Sequence, residues 1–572
     1  MDRNVLHLLA RDWMQHDPDP QTRAATADML AREDHEALRD HFGSRLQFGT
    51  AGLRASLGPG PNRMNRALVR QVTLGLADYL TTQISGAHDR GVVIGYDARR
   101  GSVPFAREAA AMFAFRGFRV WMTPSVTPTP ICSFSMRDLG ACAAVVVTAS
   151  HNPPEDNGYK VFWHDGAQIV PPHDGGISAA IDRVERPGTA PAFEEIADLV
   201  QHVPAAVFDR YHAAVQDLRV TTAPGAHIVY SAMHGVGAEH VERALHTAGH
   251  RVTAVPEQRE PDGAFPTVRF PNPEEPGALD LAKQLATSVQ ADAVFANDPD
   301  ADRLAVAIAA SDGTWHQLTG NQVGLLLADY LLTHGFAGQR TPMVGTTIVS
   351  SAMLSRMADH HGAVYAETLT GFKWLGQQAI AHDAKGGCFV MGFEEALGYT
   401  VGDVVRDKDG VSTALIMADL VAYARAEGQS LWDRLHDLYR QYGAYASGQV
   451  ARKLVGDEGR ARILTILNAL RAAPPSEIGG LTVVCMRDLE RGETVYADGR
   501  TEAIDLPRSN VLAWDLEDGS RVLARPSGTE PKIKLYFEAR SVVGDRAIDE
   551  ALREAEAKRA RLTDHLLALT GL

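Results

Sequence analysis

Short apolar strands followed by amphipathic helices recur through the first three-quarters of the chain. Five strands run from a small or polar residue into a polar loop, namely RGVVIGYDAR (90–99), ACAAVVVTAS (141–150), AHIVYSAMHG (226–235), ADAVFANDPD (291–300) and GGCFVMGFEE (386–395). This order predicts βα units around a largely parallel sheet. Because ligands bind beyond the carboxyl ends of such strands, the five loops are candidates for one site.

The pattern changes in the last segment, from about residue 450 to residue 572. Four strands, LTVVCMRD, SNVLAWDLED, SRVLARPS and KIKLYFEAR, precede one long final helix. Composition also shifts near residues 186–204, 311–320 and 442–450. We therefore predict an α/β protein with four domains around a central cleft. Three are similar mixed-sheet α/β domains (1–205, 206–320 and 321–447), and the fourth is a smaller C-terminal α+β domain (448–572).

Charge and cysteine content narrow the class of partner and compartment. The chain has 56 Lys and Arg against 71 Asp and Glu, a net charge of −15, which disfavours nucleic acid and anionic membranes. An anionic substrate would therefore need a locally basic site. The four cysteines are widely spaced, which favours neither disulfides nor a thiolate zinc site. With no signal-peptide pattern and no membrane-length apolar run, we expect a cytoplasmic protein.

A serine loop follows the second of the five strands. In VVVTASHNPPEDNGYKVF (145–162), the strand delivers Ser150 and His151 into a loop where two prolines prevent a helix from beginning. A serine on a stiff loop can be a nucleophile or a phosphate carrier. Lys160 can bring positive charge to the same pocket, and His151 can move a proton. The alternative is a plain turn; the GxSxG motif of esterases is absent.

Three alternating aspartates follow the fourth strand, in FANDPDADR (295–303). In an extended segment Asp298, Asp300 and Asp302 would share one face, and a hard cation such as Mg²⁺ would offset their charge. Arg303 beside them can pair with a phosphate. A calcium-binding EF-hand loop is excluded, because its sixth position would be Arg303 instead of Gly and its twelfth Ala instead of Glu. A solvated acidic loop remains the alternative.

Several loops in the second half of the chain carry groups suited to phosphates and polyols. ARPSGTEP (524–531) offers a guanidinium, two hydroxyls and free amides that can form a nest around a phosphate. TLTGFKW (368–374), GFEEALGY (392–399) and RDKDG (406–410) offer hydroxyls, carboxylates and the cations Lys373 and Lys408. The alternative for ARPSGTEP is a plain hairpin turn. TLTGFKW and GFEEALGY could instead be helix starts with acidic first turns, and RDKDG could be a solvated turn.

Together these loops resemble the α-D-phosphohexomutase superfamily, the phosphoglucomutase and phosphomannomutase enzymes, along nearly the full chain. TASHNPPEDNGYK is similar to the family's phosphoserine loop and NDPDADR to its magnesium loop. LTGFKW and FEEALG are similar to its sugar-binding loops, and ARPSGTEP to its terminal phosphate-binding loop. The resemblance implies an enzyme that moves a phosphoryl group between two sugar hydroxyls through a phosphoserine, with Mg²⁺ as cofactor and a sugar 1,6-bisphosphate as intermediate and activator.

The resemblance also implies individual roles. Ser150 would be the phosphoserine and a metal ligand together with the three aspartates, and Arg54, in FGTAGLR, matches an N-terminal arginine of the active site. The implied contacts to sugar and to the non-reacting phosphate are Thr370, Gly371, Glu394, Arg525, Ser527, Gly528, Thr529 and Lys534.

Some positions depart from the family pattern. Ala396 stands where many members have a serine, Tyr399 where shorter bacterial enzymes have a histidine, and Phe372 where some have a histidine. The general base therefore stays open among Lys408, Lys160 and His151. The EEALG variant, with FGTAGLRASLGPGPNRMN and FPTVRFPNPEEPGAL, is more similar to the subgroup that contains phosphopentomutases and glucose-bisphosphate synthases.

Our primary prediction is the interconversion of sugar 1-phosphate and 6-phosphate, for glucose or mannose. The alternatives are a phosphopentomutase acting on ribose or deoxyribose 1- and 5-phosphates, and a sugar-bisphosphate synthase. From other classes, a non-catalytic sugar-phosphate-binding regulator and a metal-dependent phosphatase stay open. We expect small-molecule sugar phosphates as partners, and a monomer or small homo-oligomer.

Overall fold

The computed structural model describes residues 2–184, 190–335, 340–454, 456–527 and 532–572. The chain divides into two compact units. The first unit holds Met1–Pro342 and Phe372–Glu427, and the second holds Met343–Gly371 and Gly428–Leu572.

Three helices begin the first unit. Each begins after an aspartate, Asp2, Asp19 or Asp34, whose side chain accepts a hydrogen bond from a backbone N–H of the first turn. Leu6 and Phe42 belong to the small apolar cluster that joins the helices. The helices are α1 (Arg3–His16), α2 (Pro20–Ala31) and α3 (His35–Phe42).

The next region forms a six-stranded mixed sheet with the strand order β1-β5-β4-β2-β3-β6. Strands β2 and β4 are parallel neighbours and wholly buried, because helices cover both faces of the sheet. Strand β5 runs antiparallel to β4 and to β1. The elements are β1 (Leu53–Ser56), α4 (Arg66–Gln83), α5 (Ala87–Arg90), β2 (Val92–Tyr96), α6 (Ser102–Phe115), β3 (Val120–Met122), α7 (Thr129–Asp138), β4 (Ala143–Val147), β5 (Asp156–Trp163), α8 (His173–Asp182), α9 (Phe193–Ile196) and β6 (Val200–His202).

A second, five-stranded sheet follows, with the order β11-β10-β9-β7-β8. Strands β8, β7 and β9 are parallel, whereas β10 and β11 are added antiparallel. The elements are α10 (Ala205–Gln216), β7 (His227–Ser231), α11 (Ala238–Thr247), β8 (Arg251–Ala254), α12 (Pro256–Arg259), α13 (Asp280–Val289), β9 (Ala293–Ala296), β10 (Ala305–Ala309), β11 (Trp315–Gln317) and α14 (Gly320–His334).

The chain then contributes to both units in turn. Within the second unit, β12 and β13 pair in parallel around α15. Within the first unit, β14 and β15 form an antiparallel hairpin, and α17 begins at Asp409, whose side chain accepts from two N–H groups of its first turn. The elements are β12 (Pro342–Thr347), α15 (Met353–His361), β13 (Val364–Thr368), α16 (Phe372–Ala384), β14 (Cys388–Glu394), β15 (Gly398–Val401) and α17 (Gly410–Ala426).

The rest of the second unit is an antiparallel sheet with the order β16-β23-β22-β21-β18-β19-β20, and β17 pairs with β18. Trp514, Val522 and Phe537 of the sheet pack against Leu467 and Leu562 of two helices. The elements are α18 (Leu431–Tyr442), β16 (Ala444–Lys453), α19 (Gly456–Ala472), β17 (Glu477–Ile478), β18 (Leu481–Asp488), β19 (Glu493–Tyr496), β20 (Thr501–Ala503), β21 (Leu512–Leu516), β22 (Arg521–Pro526), β23 (Lys532–Ser541) and α20 (Ile548–Thr570).

The structure confirms the mixed-sheet α/β class. All five apolar segments are strands, the four C-terminal segments are strands, and the long final helix is present. The domain boundaries at residues 205, 320 and 447 stay predictions. None of the helices in the described parts of the chain combines the length and apolar character that crossing a bilayer requires.

Candidate active site

The candidate nucleophile lies where two parallel strands end. Strands β2 and β4 pair with Tyr96 opposite Val147, so their carboxyl ends lie side by side. The loop after β4 carries Ser150, and the loop after β2 carries Asp97 and Arg99. Because no helix begins between β4 and β5, the backbone groups of the Ser150 loop need partners from other parts of the structure.

Ser150 has an unusual backbone conformation. Its φ is +52°, in the left-handed region that disfavours a non-glycine residue by about 1–2 kcal/mol. Its N–H donates to Oγ1 of Thr148 at 2.8 Å, and its Oγ donates to Oδ2 of Asp298 at 2.7 Å. Nδ1 of His151 lies 3.2 Å from the same Oγ. With Ser150 only 2% exposed, these neighbours fix the direction of the hydroxyl.

Three aspartates converge in the loop after β9. Asp298, Asp300 and Asp302 are at most 1% exposed, and a carboxylate oxygen from each lies within 4.8 Å of the others. The prediction of extended backbone here is wrong, because residues 299 and 300 form a turn and Ala301 has a φ of +54°. The tight turn still brings the carboxylates together. Oδ1 of Asp300 and of Asp302 are buried without a hydrogen-bond partner, so this cluster could bind a metal ion.

Lys160 connects the serine loop to the aspartates. It lies on β5 opposite Val146 of β4 and is 2% exposed. Its Nζ donates to Oδ2 of Asp300 at 2.6 Å and to Oδ2 of Asp302 at 2.9 Å. The hydroxyl of Thr129 donates to the same oxygen of Asp300 at 2.6 Å. The expected return of Lys160 to the pocket therefore comes about through antiparallel pairing of β5.

Burial and neighbouring charge shift the pKa values of these groups in opposite directions. Burial, followed by the two other aspartates, raises the pKa of Asp298 well above its ordinary value. Burial also raises the pKa of Asp300, but the ammonium of Lys160 outweighs it and the net shift is downward. Burial lowers the pKa of Lys160, but the charges of Asp300 and Asp302 raise it by more. The net shift is upward, so Lys160 is charged. Burial and then Arg303 lower the pKa of His151, so its imidazole is neutral.

More cations surround the cluster. Nη2 of Arg303 lies 3.4 Å from Nε2 of His151. Nζ of Lys408 lies 3.4 Å from Oδ2 of Asp302. Arg54, on β1, interacts electrostatically with Asp302 and its two companions. The first unit thus gathers the sequence-predicted catalytic and metal-binding residues around Ser150, in the locally basic setting that an anionic substrate requires.

Two sequence-predicted sugar contacts also lie in the first unit. Lys373, in the first turn of α16, donates from Nζ to Oγ1 of Thr50 at 2.6 Å. Glu394 ends β14, and its carboxylate interacts electrostatically with Lys373 and Lys408. The carboxylate of Glu394 is therefore near two cations of the first unit, Lys373 and Lys408.

The other sequence-predicted contacts belong to the second unit. Nη1 of Arg525 donates to Oγ1 of Thr370, and Gly371 has a φ of +108° that favours glycine. Lys534 lies opposite Arg525 in the β22–β23 pair, and the N–H of Ser527 donates to a backbone carbonyl at 2.7 Å. Gly528 and Thr529 lie outside the described residues. The binding roles of all these residues stay predictions.

The sequence analysis missed two residues that hold the site together, Thr129 and Arg99. Thr129 begins α7, and nothing in its local sequence pointed to Asp300. Arg99 donates to four backbone carbonyls of the serine loop, those of residues 150, 152, 153 and 156. The rule that ligands bind beyond strand ends could have found Arg99, because it closes the first of the five strand-to-loop segments.

Family models described as phosphoglucomutase/phosphomannomutase match four stretches of the chain. Alpha/beta/alpha domains I, II and III match residues 45–187, 209–311 and 319–442, and the C-terminal domain matches residues 482–555. These matches confirm the predicted four-domain α/β architecture.

Known proteins align over nearly the whole chain. A Schizosaccharomyces pombe protein named probable phosphoribomutase is 36% identical over an alignment of 579 positions, which covers 97% of each chain. A Haemophilus influenzae protein named probable phosphomannomutase is 41% identical over an alignment of 489 positions, which covers 83% of this chain and 93% of its own. A solved phosphoglucomutase/phosphomannomutase family protein from Burkholderia thailandensis has the same fold, with a TM-score of 0.66 at 18% identity, covering 92% of this chain and 97% of its own.

Proposed function

The chain belongs to the phosphoglucomutase/phosphomannomutase family and is a phosphosugar mutase, an intramolecular phosphotransferase; from that premise we propose that Ser150 carries the transferred phosphoryl group. One observation supports this role above all others. The buried Oγ of Ser150 donates to Asp298 at 2.7 Å, in a cluster where Lys160 bridges the other two aspartates. A hydroxyl between carboxylates and cations is suited to phosphoryl transfer.

We assign the aspartate cluster to Mg²⁺. The donor set consists of carboxylate oxygens alone, and two of these oxygens are buried without a hydrogen-bond partner, which fits a hard divalent cation. Asp298, Asp300 and Asp302 would hold the ion together with an oxygen of phosphorylated Ser150. When bound, Mg²⁺ would neutralise charge on the transferred group.

The chain's own side chains supply the proton transfer and further charge stabilisation. We assign His151 as the base, since its Nδ1 is 3.2 Å from Oγ of Ser150 while Lys160 and Lys408 are engaged by carboxylates. Lys160 and Arg303 are placed to stabilise the charge on the phosphoryl oxygens.

The proposed cycle balances in two half-reactions. A sugar hydroxyl gives its proton to His151 and takes the phosphoryl group from Ser150, whose Oγ leaves and takes that proton from His151, which forms a sugar bisphosphate and a free serine hydroxyl. The bisphosphate turns so that its other phosphate meets Ser150. Oγ of Ser150 then gives its proton to His151 and takes that phosphoryl group, and the sugar oxygen that leaves takes the proton from His151. A sugar 1,6-bisphosphate would therefore also act as the activator that charges Ser150.

We propose hexose 1- and 6-phosphates, of glucose or mannose, as the substrates. The Haemophilus influenzae relative, named for phosphomannomutase activity, supports this class with 41% identity. Pentose 1- and 5-phosphates are the second candidate, because the relative named phosphoribomutase aligns over 97% of both chains.

A side-by-side assay separates these substrates. The purified enzyme, with Mg²⁺ and glucose 1,6-bisphosphate, is given glucose 1-phosphate, mannose 1-phosphate and ribose 1-phosphate in turn. A higher kcat/KM for either hexose phosphate than for ribose 1-phosphate supports the proposal. A higher kcat/KM for ribose 1-phosphate would favour the pentose phosphates as substrates instead. Net accumulation of a bisphosphate in a further reaction that contains an acyl phosphate as phosphoryl donor would identify a synthase. Inactivity on all three sugars would contradict the proposal.

We also propose a cytoplasmic location and a monomer or small homo-oligomer. All four cysteines are free thiols and three of them are buried, which suits a reducing compartment. Light scattering of the purified protein would give the oligomeric state, and fractionation of the source cells would test the location.

A further inference from the structure

A single buried arginine holds the backbone of the serine loop. Nη2 of Arg99 donates to the carbonyl of Ser150 at 2.6 Å and to that of Asn152 at 2.5 Å. Nη1 donates to the carbonyl of Pro153 at 2.7 Å and to that of Asp156 at 3.1 Å. Arg99 is 3% exposed, so these contacts are shielded from water. One guanidinium thus donates to three carbonyls of the loop and to a fourth at the first residue of β5.

These contacts matter most at the residue that carries chemistry. Ser150 has a φ of +52°, a conformation that its side chain disfavours and that the loop must impose. Thr148 accepts from the N–H of Ser150, and Arg99 donates to its carbonyl. The two contacts fix both peptide groups of Ser150 and therefore the direction in which Oγ leaves the backbone.

Arg99 is itself held from its own loop. The carboxylate of Asp97 accepts from the N–H of Arg99 at 3.0 Å and from the hydroxyl of Ser102 at 2.6 Å, and it lies 3.5 Å from Nε of Arg99. Asp97 therefore orients Arg99.

A loop that follows β8 covers the guanidinium. The ring of Phe265 lies 5.1 Å from Cζ of Arg99 and is 2% exposed. Gly263 forms a β-bridge with Arg99, and a Cβ at Gly263 would meet the carbonyl oxygen of Ala98 at 2.5 Å. Phe265 opens the FPTVRFPNPEEPGAL segment, for which the proposed chemistry alone gives no role.

We propose that Arg99, covered by Phe265, is a positioning residue that sets the geometry of Ser150 for phosphoryl transfer. The inference rests on the proposed role of Ser150. Arg99 acts on the reaction through the backbone of the serine loop and is therefore distinct from the groups that meet the phosphoryl group. Lysine in its place would keep the charge but lose the planar fork that reaches four carbonyls.

The test compares Arg99→Lys with Arg70→Lys, a matched change at another buried arginine. Arg70 is 4% exposed, donates from Nε to Glu108 at 2.6 Å and donates to the carbonyl of Ala190, away from Ser150. We expect Arg99→Lys to lower kcat at least about tenfold relative to Arg70→Lys, with similar KM values, because small misplacement of a reacting atom has large rate effects. Circular dichroism and thermal unfolding measure how much each variant disturbs the fold.

Two outcomes would contradict the inference about Arg99 while leaving the proposed function intact: equal kcat values for the two lysine variants, or a change confined to KM. An inactive wild-type enzyme on all three sugar phosphates would overturn both.

Phenylalanine variants test the inference if Arg99→Lys does not fold. Phe265→Leu is compared with Phe193→Leu, which removes a similar ring 5.5 Å from Cζ of Arg107. We expect Phe265→Leu to lower kcat about threefold and Phe193→Leu to leave it unchanged, because the loss of the Phe265 ring removes the cation–π contact that helps to hold the guanidinium of Arg99. Equal kcat values in this pair would overturn the role of Phe265 and the proposal with it.

Discussion

Two buried clusters of charge, one in each unit, are built in opposite ways. In the second unit, Glu367 accepts from Arg521 at 2.9 Å and from Arg487 at 2.5 Å, and Glu538 lies 3.5 Å from Arg521. Asp515 lies 3.3 Å from Nε of Arg487, so each carboxylate of this cluster is paired with a guanidinium. In the first unit, three aspartates lie within 4.8 Å of one another, and Lys160 binds only one oxygen of each of two of them.

The difference shows what each cluster is for. Burial raises the pKa of Glu367, but its two arginine partners outweigh that effect and the net shift is downward. In the aspartate cluster the carboxylates repel one another and two oxygens are left without hydrogen-bond partners. Breaking a balanced cluster, whose carboxylates are paired with guanidiniums, destabilises the fold, whereas an unbalanced one, which leaves carboxylate oxygens without partners, gains by binding a cation. Substitutions should therefore separate loss of stability from loss of activity.

The largest effect is expected from Asp300→Asn in the unbalanced cluster. Asparagine keeps an oxygen to accept from Lys160 and Thr129 but removes a negative charge. We expect kcat to fall about 10³-fold, about 4 kcal/mol of transition-state stabilisation, in an enzyme that still folds and loses less thermal stability than its control. Steady-state kinetics with Mg²⁺ titration and thermal unfolding measure the two quantities.

Asp419→Asn is the matched control for that substitution. Asp419 is a buried carboxylate of the same unit that accepts from Arg219 at 2.8 Å and lies 2.9 Å from Nε2 of His250. This variant should lose stability and keep its kcat. If Asp300→Asn instead behaved like Asp419→Asn, the aspartate cluster would be structural.

The next largest effect is expected from Glu367→Gln in the balanced cluster. The change leaves the buried guanidinium of Arg521 and the partly buried one of Arg487 short of a negative charge, which destabilises the fold by about 3 kcal/mol. We expect the unfolding midpoint to fall by several degrees, while kcat of the folded enzyme stays within about twofold of the wild-type value. Glu502→Gln, at an exposed pair with Arg500, serves as the control. A stable but inactive Glu367→Gln enzyme would reverse the comparison.

A pair of buried histidines, His212 and His240, offers a third case beside the two charged clusters. The rings of His212 and His240 stack at 5.4 Å, with Nε2 of one 3.1 Å from Nδ1 of the other. Burial, followed by a neighbouring arginine, lowers the pKa of His212 to about 4. Burial, followed by His212, lowers the pKa of His240 to about 3.

Acid should therefore weaken the fold through these histidines. Both have pKa values near 6.5 in the unfolded chain, so the unfolded state takes up protons first as the pH falls. Their stabilisation is complete above pH 6.5 and is lost as the pH falls towards 4, by about 3 kcal/mol for His212 alone. Urea unfolding at several pH values in this range measures the loss. His240→Gln should reduce the slope of the unfolding free energy against pH. An unchanged slope would show that the pair does not titrate in this way.

The smallest effect is expected at a surface ion pair. Arg440 and Asp437 of α18 are 2.8 Å apart, and both side chains are more than half exposed. Arg440→Ala should change the free energy of unfolding by less than about 0.5 kcal/mol and leave kcat unaltered, because water screens exposed charges. A larger loss of unfolding free energy would mean that burial does not explain why ion pairs in the two clusters matter more than ion pairs at the surface.

The sequence predicted the strands and the chemistry that local patterns encode. Buried strands such as β2 and β4 are continuous apolar runs, and Ser150 and the aspartates follow such runs directly. The sequence did not predict the turn at Ala301, because alanine rarely adopts a positive φ and the alternating aspartates also fit extended backbone. Nor did it predict contacts across distant positions, such as Thr129 with Asp300, 171 residues apart. Strand pairing and helix packing create those contacts.

The central claim is that Ser150 carries the phosphoryl group. Incubation of the enzyme with glucose 1,6-bisphosphate, followed by peptide mass spectrometry, tests it directly. Ser135→Ala is the matched control for Ser150→Ala, because Ser135 is a buried serine whose hydroxyl donates to the carbonyl of Ile131. We predict one phosphoryl group, on Ser150, that glucose 1-phosphate discharges, with no turnover in Ser150→Ala and full turnover in Ser135→Ala. Phosphate on another residue, or turnover retained by Ser150→Ala, would contradict the account.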